Sequence, residues 1–293
     1  MDFIARPFGA LMEFIYHNLA FNNYGIAIII FTIFVRLLMF PLSLKQQRSM
    51  EKQQELMPEI EAIKKNFKND PRRMQEEQAK LFTKYKVSPY AGCLPMLIQL
   101  PIITTLFTII RRPLTYIAGL SGDTISQIYE FIKGKGITVI DEIGATNFFT
   151  TNTSVIAEMN NELGINFENI NMNFLKIFNL GETPAWNPST IISNWKVYLP
   201  LLLIPVLALI TTYLQQKISI AITSSGKKDD KKKDDPTAGM MNGMMKIMPL
   251  FTLVFAFFMP AGLGLYWIVG NIIAIGQTYL IKKVFVGKKK ESI

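Results

Sequence analysis

The chain has 293 residues, of which 49% are hydrophobic and 18% are charged, and its formal net charge is +9. Long apolar runs alternate with charged blocks, which is typical of a multi-span membrane protein and argues against a soluble domain. One cysteine, Cys93, and one histidine, His17, exclude an intramolecular disulfide and a zinc site built from cysteine and histidine.

Residues 1–20 carry apolar side chains at helical spacing. This face consists of Ile4, Phe8, Leu11, Met12, Ile15 and Leu19. Glu13, His17 and Asn18 interrupt the apolar pattern too often for the core of a signal peptide. We therefore predict an extracellular-side amphipathic helix lying in the membrane interface, with a targeting segment as the alternative.

Residues 24–44 are long enough to cross a bilayer as the first transmembrane helix. The run contains one charged residue, Arg36, well inside the apolar sequence. A charged side chain at that depth costs about 3 kcal/mol on insertion scales. Some feature of the folded protein must therefore solvate this arginine.

Residues 45–88 form a charged block with eleven Lys or Arg and seven Asp or Glu. Asp70 suits a helix N-cap, and Pro71 suits the first position of the helix that follows. Two helices joined by so short a link run antiparallel, so we predict a cytoplasmic helical hairpin. Its polar surface fits either a solvated spacer or a contact surface.

Four further apolar runs predict the remaining spans. The predicted second to fifth transmembrane helices cover residues 89–110, 197–218, 240–259 and 263–281. The connecting parts are an extracellular segment (111–196), a cytoplasmic charged loop (219–239) and a basic tail (282–293). The extracellular segment contains short amphipathic pieces that could lie on the membrane surface, and we expect its deletion between 121 and 190 to leave a folded, partly active core.

The distribution of basic residues predicts the orientation. The 45–88 block, residues 217–246 and the tail together hold 23 of the 31 Lys and Arg residues. Five spans place these three regions on one side, which the positive-inside rule identifies as the cytoplasm. The prediction is a multi-pass protein with its N-terminus outside and its C-terminus in the cytoplasm.

The five predicted spans contain no Asp or Glu. This excludes an intramembrane aspartyl protease and argues against a proton relay through carboxylates. The sequence also lacks an HExxH motif, a Walker motif and a dinucleotide-binding fingerprint. We predict that the protein is not an enzyme and that it uses no cofactor or metal.

Without a carboxylate partner, Arg36 must be hydrated or solvated by neutral polar side chains. The candidates on other spans are Gln99, Thr212, Gln215 and Asn271, which could together line a wet cavity. The alternative is that Arg36 extends to the cytoplasmic interface, roughly 10 Å away along the helix.

Four stretches match one known family in order and spacing. They are FTIFVRLLMFPLSLKQQRSM (31–50), YAGCLPMLIQLPI (90–102), YLPLLLIPVLALITTYLQQKIS (198–219) and MKIMPLFTLVFAFFMPAGLGLYWIVGNI (245–272). On these motifs the chain resembles the YidC family of membrane protein insertases. The resemblance covers roughly residues 22–110 and 195–285.

The resemblance implies an all-α polytopic membrane protein whose five transmembrane helices enclose a hydrophilic groove open to the cytoplasm. It implies that Arg36 is the groove arginine, that Trp267 and the region of Gln215 lie at groove positions, and that the hairpin receives substrate. The implied function is to insert nascent membrane proteins into the lipid bilayer of the bacterial plasma membrane and to help them fold. The Sec translocon and the ribosome are the further partners it implies.

Two features depart from the family pattern. There is no cysteine near the start, as the lipoprotein signals of many Gram-positive members would require, and the extracellular segment is longer than in a minimal member. We therefore expect a Gram-positive type with an unusual external insertion. A small-solute channel or transporter and a non-catalytic assembly scaffold are the alternative functions. The apolar outer halves of the spans argue against a channel.

Overall fold

The computed structural model describes residues 2–87, 94–223, 247 and 249–283, with side-chain surroundings for 5–87, 99–221, 247 and 249–283. Most of the chain in these ranges is helical, which confirms an all-α membrane protein at the coarse level. The elements are α1 (Asp2–Asn18), α2 (Tyr24–Leu38), α3 (Phe40–Glu55), α4 (Met57–Asn66), α5 (Pro71–Lys84), α6 (Leu94–Arg111), α7 (Pro113–Tyr116), α8 (Gly122–Gly134), α9 (Glu142–Thr151), α10 (Ser154–Leu163), β1 (Asn173–Phe174), β2 (Phe178–Asn179), α11 (Pro188–Ser193), α12 (Trp195–Leu201), α13 (Leu203–Thr223), α14 (249–256) and α15 (Ala261–Ile281).

Two helices in the described ranges are long and apolar enough to cross a membrane. They are Trp195–Ala221, which joins α12 to α13, and Ala261–Ile281. The bent pair α2 and α3 would make a third. Parts of the predicted second and fourth spans, 89–93 and 240–246, lie outside the described residues, as does the charged loop from 224 onward. Five spans therefore stay a prediction.

The first predicted span is not one straight helix. The helix α2 ends at Leu38, three residues short of Pro41, and α3 leaves at an angle of 56°. Pro41 lacks the N–H that would bond to the carbonyl of Leu37 in a continuous helix, and its ring crowds that carbonyl. Arg36 therefore lies in the last turn of α2, and not in the interior of a helix that continues to residue 44.

The helix α15 lies at the centre of the bundle, with α13 on one side and α2 on the other. Its first half is almost fully buried, from Ala261 to Tyr266. Gly264 lies against the side chain of Ile204, and a Cβ at Gly262 would lie 3.1 Å from Ile28 Cδ1. Glycine at these positions lets α15 approach both neighbours closely.

The helix α1 packs against α2 and α6. Met12 and Ile15, from the predicted apolar face, are buried in the main core, whereas Leu19 of the same face is 49% exposed. Much of this face is therefore covered by protein. The placement of α1 in the membrane interface stays a prediction.

The hairpin of α4 and α5 has a small core of its own. Leu56, Ile60, Leu81 and Val87 form a buried cluster separate from the main one. Asp70 caps α5 by accepting a hydrogen bond from Arg73 N at 3.1 Å, as the sequence predicts. The hairpin is thus held together internally, independently of the bundle core.

The segment 111–196 is folded and shares the main core of the bundle. Ile128 of α8, Phe149 of α9 and Leu180 are fully buried in the same cluster as Phe31 of α2. Between α10 and α11 the chain forms an antiparallel pair of two-residue strands, β1 and β2, which the sequence did not predict. The apolar faces of this segment therefore pack largely on protein, where we expected some of them on the membrane surface.

Backbone hydrogen bonds tie this segment to the ends of two bundle helices. Tyr24 N donates to Asn171 O at 3.0 Å, at the start of α2. At the start of α15, Ala261 N donates to Glu182 O at 2.8 Å and Gly262 N donates to Leu180 O at 2.9 Å. These bonds satisfy N–H groups that a helix N-terminus leaves unpaired.

This packing reverses our expectation for the segment. Deleting 121–190 removes both bonds to α15, the bond to α2 and the buried side chains of α8–α10, so we now expect a marked fall in melting temperature in detergent. The matched control deletes 57–84, whose core is separate, and should leave the melting of the bundle close to that of the wild type. Equal melting temperatures for the two deletions would show that the segment does not support the bundle.

Candidate functional site

The guanidinium of Arg36 lies directly against the backbone of α15 at Gly270. A Cβ built on Gly270 would lie 2.9 Å from Arg36 Nη2 and 3.4 Å from Nε. Within the described ranges, the guanidinium forms no ion pair and no hydrogen bond to protein. The Arg36 residue is partly exposed. The charge therefore lies in the space left by the missing side chain at Gly270, and no carboxylate of the described ranges pairs with it.

Neutral polar groups surround this contact. Gln99 Nε2 on α6 donates a hydrogen bond of 2.7 Å to the hydroxyl of Tyr266, which lies within electrostatic range of Arg36. Gln277 Nε2 donates to the backbone carbonyl of Arg36 at 2.9 Å. That carbonyl is in the last turn of α2, where the bend at Pro41 removes the usual helical donors. The cluster thus joins α2, α6 and α15.

A second polar contact joins α13 to α15. Asn271 Nδ2 donates to Thr212 Oγ1 at 2.9 Å and to Thr211 Oγ1 at 3.2 Å. Thr212 and Asn271 are both buried. Asn271 follows Gly270 in the sequence, so consecutive residues of α15 face the two polar contacts.

The structure brings together some of the predicted site residues and separates others. Arg36 and Gln99 belong to one cluster, through Tyr266, and Thr212 and Asn271 to the other. Trp267 makes an edge-to-face ring contact with Phe255 of α14, at 6.2 Å between centroids. Gln215 is partly exposed on α13 and forms no hydrogen bond to the described part of the chain.

The sequence analysis missed three residues of the Arg36 cluster: Tyr266, Gly270 and Gln277. The sequence predicts Trp267 and Asn271 as site residues, and their spacing places them on one face of the fifth span. The same spacing shifted by one residue gives the face that meets α2. The signal that could have identified this face is Gly270, because a glycine leaves space for a large side chain such as Arg36 on the neighbouring helix.

The helix α3 contacts α6, α13 and α15. It lies on the side of the bundle that the sequence predicts to face the cytoplasm. Gln47 on this helix is buried, and Gln46 Nε2 is buried without a hydrogen-bond partner. Burial raises the pKa of the Glu51 carboxyl, as does the nearby charge of Glu55. A partly buried polar helix surface thus borders the bundle.

The fold and the site define a class of protein: a helical membrane protein with a partly exposed arginine among apolar helices. The chain matches the family described as 60Kd inner membrane protein over residues 14–289, and it belongs to that family. This confirms the resemblance seen in the sequence.

Three relatives illustrate the range of the family. The membrane protein insertase YidC of Caldanaerobacter subterraneus is 30% identical over 292 residues, which cover 100% of both chains. That of Oceanobacillus iheyensis is 30% identical over 92% of this chain and 78% of its own. The Rickettsia akari protein is 31% identical over 96% of this chain but only 39% of its own length. The match therefore spans the whole of some relatives and one part of longer ones.

The contact between α13 and α15 can be tested by a double-mutant cycle. We expect Thr212→Val and Asn271→Ala to show a coupling of about 0.6 kcal/mol, at most ~1.7, in unfolding measurements in detergent. Thr278→Val replaces Thr212→Val in the control cycle, because the Thr278 hydroxyl bonds only to Ala274 O of its own helix. Coupling equal to that of the control would contradict the hydrogen bond.

Proposed function

We propose that the protein is a membrane protein insertase of the bacterial plasma membrane and that it inserts and helps to fold nascent membrane proteins. The observation that carries this proposal is the partly exposed Arg36 charge, for which the described residues provide no counter-ion. A positive charge left without a partner can attract acidic groups of a passing chain. The relatives named above as insertases support the same conclusion.

We propose five transmembrane helices with a groove that opens to the cytoplasm and centres on Arg36. Gln99, Thr212, Gln215, Trp267 and Asn271 belong to this groove in the proposal, and we add Tyr266, Gly270 and Gln277. The N-terminus is outside and the C-terminus is in the cytoplasm, as the distribution of Lys and Arg predicts. The backbone bonds that Ala261 and Gly262 of α15 donate to Glu182 and Leu180 support closure on the extracellular side.

The proposed mechanism needs no energy-consuming site. The hydrated groove reduces the thickness of hydrocarbon that the polar tail of a substrate must cross. Arg36 attracts acidic residues of that tail, and the apolar segment of the substrate moves sideways into lipid. Transfer of apolar surface from water then drives insertion, with help from the membrane potential for acidic tails.

Nascent membrane proteins and the lipid bilayer are the proposed partners, together with the ribosome and the Sec translocon. The separate core of the hairpin supports a role in receiving substrate, because the hairpin can move without opening the bundle. The charged loop (219–239) and the basic tail (282–293) would meet the ribosome or anionic lipid on the cytoplasmic side. Reconstitution of the purified protein alone, with insertion and solute flux measured in parallel, separates an insertase from a channel.

The charge of Arg36 should matter more than the shape of its guanidinium. We expect Arg36→Lys to retain much insertion activity, and Arg36→Ala to lose it for substrates with acidic external tails. The Ala variant should keep its melting temperature, because no carboxylate loses a partner. The measurement is insertion into liposomes of acidic-tail and neutral-tail substrates by each variant. Equal losses for both tails, together with a lower melting temperature, would make Arg36 a structural residue only.

Gly270 should be required for the position of the charge. The methyl group of Gly270→Ala would lie 2.9 Å from Arg36 Nη2, so the flexible guanidinium must move while the helix stays folded. We expect several-fold slower insertion of acidic-tail substrates. Gly276→Ala on the same helix is the matched control, because a Cβ there meets nothing within 4 Å. Equal insertion rates for these two variants would contradict the proposed site.

A further inference from the structure

Residues 186–195 expose large apolar side chains outside the bundle. Trp186 is 73% exposed, Ile192 is 75% exposed and Trp195 is 57% exposed. The stretch carries no charged residue, and its remaining side chains are mostly Asn, Ser and Thr. Two exposed tryptophans within one short stretch mark a surface that is covered in the working protein.

Local structure holds these side chains at the start of the span. Asn187 caps α11 by accepting a hydrogen bond from Ser189 N at 3.1 Å. The backbone carbonyl of Asn194 accepts bonds of 3.1 Å from Val197 N and Tyr198 N, which begins α12 directly after α11. The two helices contact one another, so the stretch is an ordered turn onto the span.

The exposed surface continues along the membrane-spanning part of the chain. From Ile192 and Trp195, exposed apolar residues recur every three or four positions. They are Leu199, Leu203, Val206 and Ile210. Only 28% of the apolar window in Trp195–Ala221 is buried by protein, so lipid covers most of this helix. The same stripe therefore runs from the hydrocarbon region to residues 186–195.

The charges flanking the span fix its depth. Lys196 and Lys217 are the only charged residues between 183 and 221. They are 21 positions apart, which is ~31 Å along a helix, against about 30 Å for the hydrocarbon core of a bilayer. Trp195 therefore lies at one membrane–water boundary, where tryptophan is enriched because its ring is apolar and its N–H is polar.

We propose that residues 186–195 form an anchor that binds the phospholipid interface of the bilayer. Trp186, Ile192 and Trp195 enter the boundary between headgroups and acyl chains, and the polar residues of α11 face the headgroups. The anchor fixes the depth of α13, and through it the depth of Thr212 beside Asn271. A lipid surface fits better than a protein partner, because the stretch is uncharged and continuous with the lipid-facing stripe.

The three tryptophans of the chain provide a direct test. The full protein is reconstituted in phosphatidylcholine and phosphatidylglycerol vesicles, and difference spectra against Trp186→Phe and Trp195→Phe isolate each fluorophore. We expect blue-shifted emission and stronger quenching by lipids brominated near the headgroup than by lipids brominated deep in the chain. Iodide, present on both sides, should quench weakly. Strong iodide quenching without dependence on lipid depth would overturn the proposal and indicate an unoccupied protein-binding surface.

A spin label on the lipid-facing side of α13 tests the effect on depth. In a Cys93→Ser background, Val206→Cys carries the nitroxide, and its depth follows from collisions with oxygen and with a water-soluble nickel chelate. We expect the pair Trp186→Ala and Trp195→Ala to shift the label, while the corresponding Tyr substitutions restore its depth. Ile140→Ala is the control, because Ile140 is 91% exposed outside this stretch. An unchanged depth in the Ala pair would refute the anchor.

Discussion

The arrangement of the bundle depends on one constraint: a permanent positive charge at Arg36 must be accommodated among apolar helices that offer no carboxylate. An ion pair would satisfy the charge but would also neutralise it. Here α15 instead presents Gly270, and the space that a side chain would fill is taken by the guanidinium. The Tyr266 hydroxyl, which accepts a hydrogen bond from Gln99, also lies near Arg36. The Arg36 charge is therefore accommodated, but no carboxylate of the described residues neutralises it. Its electric field can still attract an acidic group.

The bend after α2 is the second part of this solution. Pro41 ends the helix soon after Arg36, so the arginine lies where backbone carbonyls lack helical partners. Gln277 donates a hydrogen bond to the backbone carbonyl of Arg36. The helix α3 turns away from α2 by 56° and contacts α13 and α15. If α2 continued straight to residue 44, residues 39–44 would occupy the space beside Arg36. The proline thus turns the chain away from the site while α2 stays in contact with α15.

Sequence patterns predicted the parts of this structure that depend on one helix at a time. The apolar runs located α13 and α15, the cap at Asp70 located α5, and the missing carboxylates identified Arg36 as the residue to explain. The face of α15 that contacts Arg36 was harder to predict. It contains residues 266, 270 and 277, and the neighbouring face with residues 267, 271 and 278 has the same spacing. Only the packing of α15 between two helices separates them. The segment 111–196 was harder still, because an apolar helix face does not reveal whether membrane or protein covers it, and Ile128 and Phe149 pack on protein.

The two sides of the molecule differ in how they are joined to the bundle, and this difference bears on the direction of opening. On the side of residues 111–196, one continuous core and the backbone bonds at Tyr24, Ala261 and Gly262 hold the helix ends together. On the other side, the hairpin keeps a separate core, and the helix that leads to it carries buried polar groups such as Gln47. Separating packed apolar surface costs about 25 cal/mol for each Å² exposed, whereas parting a polar, hydrated contact costs much less. Separating the helices next to Arg36 on the hairpin side would therefore cost less free energy than separating them on the side of residues 111–196.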